Sequence, residues 1–169
     1  MIVGAAVWLP AANQRSVSER LSAQGSAVQL MLTAMLDQET GLRGYSMTAQ
    51  PVFLEPYVMG QREYDTAVAG AESISRGDDR VVNRLRGADV IARRWQDAAR
   101  GGVQDVRAHA RLRDFRPVLA RKAIMDRYRQ AIGATVELLA TRRDEALKRA
   151  EIVPVVLVVL LSLAFFVLG

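Results

Sequence analysis

Cysteine is absent from the 169 residues and histidine occurs once, at His109. Without thiols there is no disulfide, no thiolate metal site and no cysteine nucleophile, a composition that suits either side of a membrane. One histidine cannot form a His cluster or a His-containing catalytic triad, and His109 reads as a lone solvated side chain. Aromatics are 6% of the residues and are not interleaved with the basic ones. A stacking surface for nucleic acid is therefore missing, and no nucleic-acid partner is expected. Gly101-Gly102 lacks the Gly-Lys-Ser/Thr ending of a phosphate loop. The carboxylates are scattered along helix faces without metal-ligand spacing. No catalytic residue, no metal and no cofactor is expected in this chain.

Charge is missing at both ends. Met1 to Ala12 holds 10 apolar residues of 12, Ile152 to Gly169 holds 15 of 18, and every charged residue lies between Arg15 and Glu151. This pattern excludes a simple cytosolic globule and a polytopic transporter. As a helix, residues 152–169 measure about 27 Å at about 1.5 Å per residue, close to the hydrocarbon thickness of a bilayer. They read as a transmembrane helix rather than a buried core helix, because no other segment is apolar all round to receive them. Pro154 costs little if that helix starts nearby, and kinks it if the helix runs in from upstream. Residues 1–13 are too short to cross and lack the basic start of a signal peptide. They read as the outer end of a truncated first transmembrane helix, so both ends are expected to be cuts in a longer protein. The net charge of +5 belongs to the soluble middle, residues 14–151. Arg93-Arg94, Arg142-Arg143 and Lys148-Arg149 read as solvated faces near a lipid bilayer. Orientation cannot be taken from charge, since the loop beyond the second span is not in the sequence.

The middle carries helical periodicity throughout, and strand-like alternation does not persist anywhere. Leu21, Val28, Met35 and Leu42 recur every seven residues, as do Val118, Met125, Ile132, Leu139 and Ala146. Such spacing keeps one apolar seam facing a partner helix. Tyr57, Tyr64, Val68, Ala71 and Ile74 form a third stripe, and Val81, Leu85, Ala88, Ala92, Trp95 and Ala99 a fourth. Gln50-Pro51, Arg76-Gly77-Asp78-Asp79 and Arg100-Gly101-Gly102 read as breaks, with Asp78 or Asp79 as an N-cap. The expected helices are about 13–49, 52–76, 78–100 and 117–168, with a shorter piece at about 103–113. The fold class is all-α: a long up-down-up-down antiparallel four-helix bundle flanked by transmembrane helices.

The most distinctive run is Asp37-Gln38-Glu39-Thr40-Gly41-Leu42-Arg43-Gly44-Tyr45, followed by Phe53-Leu54-Glu55-Pro56-Tyr57. Glu39 and Arg43 share a helix face and can pair. Gly41 and Gly44 each cost about 1 kcal/mol against Ala in a helix, and close approach of a neighbouring helix is the simplest offset. These motifs, with Lys122-Ala123-Ile124-Met125-Asp126, resemble the third subtype of the CHASE domains (cyclase- and histidine-kinase-associated sensory extracellular). The resemblance covers about Gln14 to Glu151. It implies an extracytoplasmic helical bundle between two spans of a multi-pass cell-membrane receptor. It also implies a signalling output after the second span: a histidine kinase first, with cyclic-dinucleotide enzymes and chemotaxis-type domains as alternatives. It supplies no ligand.

The expected function is therefore a bacterial receptor's sensor, passing an unknown extracytoplasmic stimulus or partner protein through the last helix. A homodimer is expected. This chain itself is not expected to be an enzyme, any kinase or cyclase activity lying beyond residue 169. A non-sensing, membrane-anchored structural bundle is the competing reading. Glu39, Arg43 and Tyr45 are the candidate site: either they fix the packing of the first two helices, or they contact a ligand or a second protomer.

Overall fold

The computed structural model describes the backbone of residues 3–108 and 115–168, and side chains for 16–108, 115–149, 152, 156 and 160. Four α-helices account for most of it: α1 (Val3–Thr48), α2 (Glu55–Ile74), α3 (Asp79–Arg107) and α4 (Arg116–Leu168), with a 3-10 turn (Pro51–Leu54) before α2. No strand occurs among the described residues. The chain divides into two units, residues 24–137 and residues 1–23 with 138–169. The second unit holds the outer parts of α1 and α4; in it Leu139 is buried and Arg149 pairs with Glu145.

Within residues 24–137 the helices alternate in direction. Gln38, Gly41 and Gly44 on α1 meet Gly60, Tyr57 and Phe53 in turn, so the chain falls along α2 as it rises along α1. Asp65 and Glu72 on α2 reach Arg93 and Arg86 on α3 in the same antiparallel sense. Arg84 and Gly102 on α3 lie against Ala134 and Arg121 on α4. Arg129 returns α4 to Glu39 on α1. The core holds Trp95, Tyr64, Tyr128, Met31, Met35 and Leu85, all fully buried. The α3 stripe expected from the sequence is buried at all six positions. The other seams are less regular: Val118, which opens the α4 heptad series, and Ile74 are exposed, while Gly60 and Ala67 are buried on α2.

Three boundaries differ from the sequence reading, each for a local reason. α1 begins at Val3 rather than near Asn13, the apolar end joining the amphipathic helix without a break. The helix expected from Val52 starts at Glu55, because Pro56 occupies its first turn. A proline ring there obstructs the carbonyl four residues back, so the preceding residues take the tighter 3-10 form. α3 does not stop at Arg100 but runs to Arg107, absorbing the start of the piece expected at 103–113. Gly102 and Val103 lie on its buried face, so packing offsets the cost of two glycines. α4 keeps its expected extent as one helix from Arg116 to Leu168, so of the two settings open to Pro154 it is the helix running in from upstream that holds it. The Asp78 cap forms as expected, its side chain accepting from the Val81 N–H at 3.2 Å. Gly77 takes the left-handed φ of +83° that the turn before it needs.

The expected spans at 1–13 and 152–169 lie largely outside the residues with described side chains. Among the described residues no helix is long and apolar enough to cross a membrane. Ile152, Val156 and Leu160 are exposed apolar side chains at four-residue spacing.

A polar layer crosses the middle of this unit. Gln38, fully buried, donates through Nε2 to the Gly60 carbonyl at 3.0 Å and accepts at Oε1 from Gln96 Nε2 at 3.1 Å. Arg93 donates in turn to Gln96 Oε1 at 3.3 Å and lies 5.4 Å from the centre of the Tyr64 ring. Tyr64 meets Tyr128 edge-on, centroids 6.2 Å apart. Neither hydroxyl finds a hydrogen-bond partner there.

Two outcomes follow for stability. Gly41→Ala places a Cβ 2.5 Å from the Tyr57 backbone nitrogen and lowers stability by about 1–3 kcal/mol. Gly25→Ala, in the same helix with nothing within 4 Å, raises it by up to about 1 kcal/mol. Urea unfolding of the two variants checks the opposite signs. Burial also pushes the Tyr64 and Tyr128 hydroxyls above their ordinary pKa. The unfolded chain ionises its tyrosines near about pH 10, so the folded state holds more protons above that point. Stability is intact below about pH 10 and falls as the pH rises further. Tyr128→Phe shifts the alkaline unfolding midpoint upward, measured by circular dichroism alongside tyrosinate absorbance.

Candidate functional site

The signature run on α1 divides its work between two faces. Toward α2, Gly41 leaves room for backbone: a Cβ there would stand 2.5 Å from Tyr57 N and 3.1 Å from the Phe53 carbonyl. Gly44 sits under the Phe53 ring, 3.1 Å from Cδ1 by the same construction. Gly41 thus serves the close helix approach expected of it, while Gly44 makes room for an aromatic side chain from the 3-10 turn. Tyr45 belongs to this packing face and is 5% exposed. Toward α4, Glu39 and Arg43 line a cavity that Tyr45 does not reach. The three candidate residues are therefore not one cluster.

Glu39 organises a chain of charges. Arg43, one turn on, pairs with its Oε1 at 3.4 Å while staying largely in solvent. Arg129, 90 residues away on α4, pairs with its Oε2. Arg129 also reaches Asp126 at 3.1 Å, and Asp126 takes the Lys122 ammonium. That ammonium holds the Asp126 carboxyl below the usual carboxylate range. Lys122 and Asp126 belong to the second motif, so the two motifs meet through Arg129. Local spacing does not foretell that contact, because Arg129 lies three residues beyond the quoted motif.

The cavity has a volume of about 400 Å³ and is framed by α1, α3 and α4. Leu42, Trp95, Phe115 and Val118 supply apolar wall, with Ser46 and Met47 near the end of α1. Among the described residues four cations stand around it (Arg43, Arg121, Lys122 and Arg129) against two carboxylates, Glu39 and Asp126. Arg121 is 9% exposed, and its guanidinium lies against Gly102, where a Cβ would come 3.1 Å from Nη1. Burial lowers its pKa, and Asp105 offsets this through space. The sequence signal for Arg121 was thin: one basic residue beside a weak motif. Among the described residues no group of three or more His, Cys, Asp or Glu side chains could hold a metal. His109 lies outside the described residues.

The Glu39–Arg129 pair ties α1 to α4 at a half-buried position. Glu39→Gln removes a charge-assisted contact and lowers stability by about 1–2 kcal/mol. A double-mutant cycle with Arg129→Gln, followed by urea unfolding, returns a coupling of about 1 kcal/mol.

The model of the CHASE3 domain family matches residues 14–149. No curated protein and no solved structure matches the chain. The matched span contains both motifs, all four helices' buried faces and the cavity between α1, α3 and α4. Such domains are the extracytoplasmic sensory parts of membrane signalling receptors, and this chain belongs to the CHASE3 family.

Proposed function

We propose that the chain is the sensor of a bacterial transmembrane receptor whose output, most often in this family a histidine kinase, follows residue 169. Residues 14–151 are the sensing bundle, 1–13 the outer end of a first span, and 152–169 a second span in the cell membrane. The segment itself performs no catalysis. Its partners are the bilayer, a second copy of the chain and an extracytoplasmic stimulus.

The observation that carries this reading is α4, one helix from Arg116 to Leu168. It presents Arg121, Lys122 and Arg129 to the cavity at one end and enters the uncharged segment after Glu151 at the other. A stimulus that favours one packing of α4 over another therefore acts on the helix that leads to the span. It shifts the balance only through its different affinity for the two packings. A bundle serving as an inert spacer has no need for a cavity of ligand size bordered by this helix.

These 169 residues contain no cysteine, so an introduced thiol is unique within this segment, and the receptor without it is the control. In the full-length receptor, single cysteines at the exposed α4 positions Arg127, Gln130, Ala134 and Arg143 form disulfides between protomers. The crosslinking pattern differs between signalling-on and signalling-off receptor. An identical pattern in the two states refutes transmission through α4, and no crosslink at any position refutes pairing along it.

A further inference from the structure

The charges around the cavity are unevenly matched. Arg43 rests on Glu39, Arg129 on Glu39 and Asp126, and Lys122 on Asp126. Arg121 differs. Its side chain is nine-tenths buried and forms no hydrogen bond or ion pair with a described residue, yet its nitrogens are not sealed from solvent: they open onto the cavity. A guanidinium that meets solvent only through a cavity offers its N–H donors to whatever enters that cavity. Asp105 is exposed and acts on Arg121 only through space. The cations also outnumber the carboxylates by four to two. Among the described lining residues positive charge is therefore in excess, and Arg121 is the cation with no carboxylate in contact.

The rest of the wall narrows what kind of anion. Leu42, Trp95, Phe115 and Val118 offer apolar surface beside the guanidinium. Inorganic phosphate or sulfate would leave that surface idle. A volume of about 400 Å³ falls within the range that small-molecule sites occupy. A guanidinium fork takes a carboxylate through two parallel hydrogen bonds, while the apolar wall removes hydrocarbon from water.

We infer that this cavity binds a small monocarboxylic acid, its carboxylate on Arg121 and its hydrocarbon or aryl body against Trp95, Leu42 and Phe115. The inference gives the sensor reading a ligand class and rests on that reading only for its biological consequence. Binding connects α3 and α4 through Arg121 and Gly102 and lies beside the Glu39–Arg129 pair. An occupied cavity therefore favours the packing in which Arg121 stays in place.

The test uses the whole 169-residue chain in detergent micelles. Benzoate, phenylacetate, hexanoate and octanoate are titrated by calorimetry, each beside its neutral primary amide and beside inorganic phosphate. At least one acid binds, and binds at least about 10-fold more tightly than its amide and than phosphate, as a charge-assisted fork requires. Arg121→Gln removes this preference with the helical circular dichroism unchanged, and Arg121→Lys restores part of it. Equal affinity for acid and amide, phosphate binding as tightly as the acids, no binding by any acid, or full binding by folded Arg121→Gln each overturns the inference. The acid–amide comparison on the unaltered chain stands even if the variants do not fold. Loss of this inference with a state-dependent crosslinking pattern leaves the sensor reading intact, whereas binding with an invariant pattern removes the transmission and keeps the site.

Discussion

The contact of α1 with α2 through glycine is the constraint on which the other features depend. At Gly41 and Gly60 a single added carbon would stand 2.5 Å from the Tyr57 backbone nitrogen and 2.6 Å from the Ala34 carbonyl. The two backbones touch, so their relative height is fixed to a fraction of a helical turn. With that height set, Gln38 lies level with Gly60 and Gln96. The next residue of α1, Glu39, then faces α4, where Arg129 meets it. The charged border of the cavity is thus a consequence of a packing decision made on the opposite face of the same helix.

Much of this fold is readable in the sequence, and the parts that are not share a cause. The α3 stripe from Val81 to Ala99 could be read position by position, because a surface helix of a bundle buries one face and periodicity reports that face. The glycine spacing at 41 and 44 likewise announces a close neighbour. What fails is the reading of breakers. Gly101-Gly102 looks like a helix end, yet Gly102 is where Arg121 presses against α3. A glycine that admits a side chain from another helix cannot be told locally from one that ends its own. Pro56 shows the converse: one residue early in α2 displaces the start of the helix, although the apolar pattern extends further back.

The candidate site was half legible for a related reason. Glu39 and Arg43 can be paired from their spacing alone. Arg121 and Arg129 can be assigned only once α3 and α4 are placed against α1, since their partners lie in segments far apart in the chain. Tyr45 shares the motif but points into the core. A family motif therefore mixes residues held for packing with residues that border the cavity, and only position in the bundle separates them.

The buried amide layer bears on how far one helix can travel past another. An apolar heptad seam tolerates displacement by whole turns, since each layer looks much like the next. Gln38 and Gln96 break that equivalence: with α1 moved by one turn, about 5.4 Å, Gln38 would leave the Gly60 carbonyl and the two amides would part. Whole-turn ratcheting of α1 against α2 or α3 therefore carries the cost of these lost hydrogen bonds. Rotations and tilts that keep the amides in reach cost far less. The layer acts as a mechanical detent, confining the bundle's low-energy motions to angular ones.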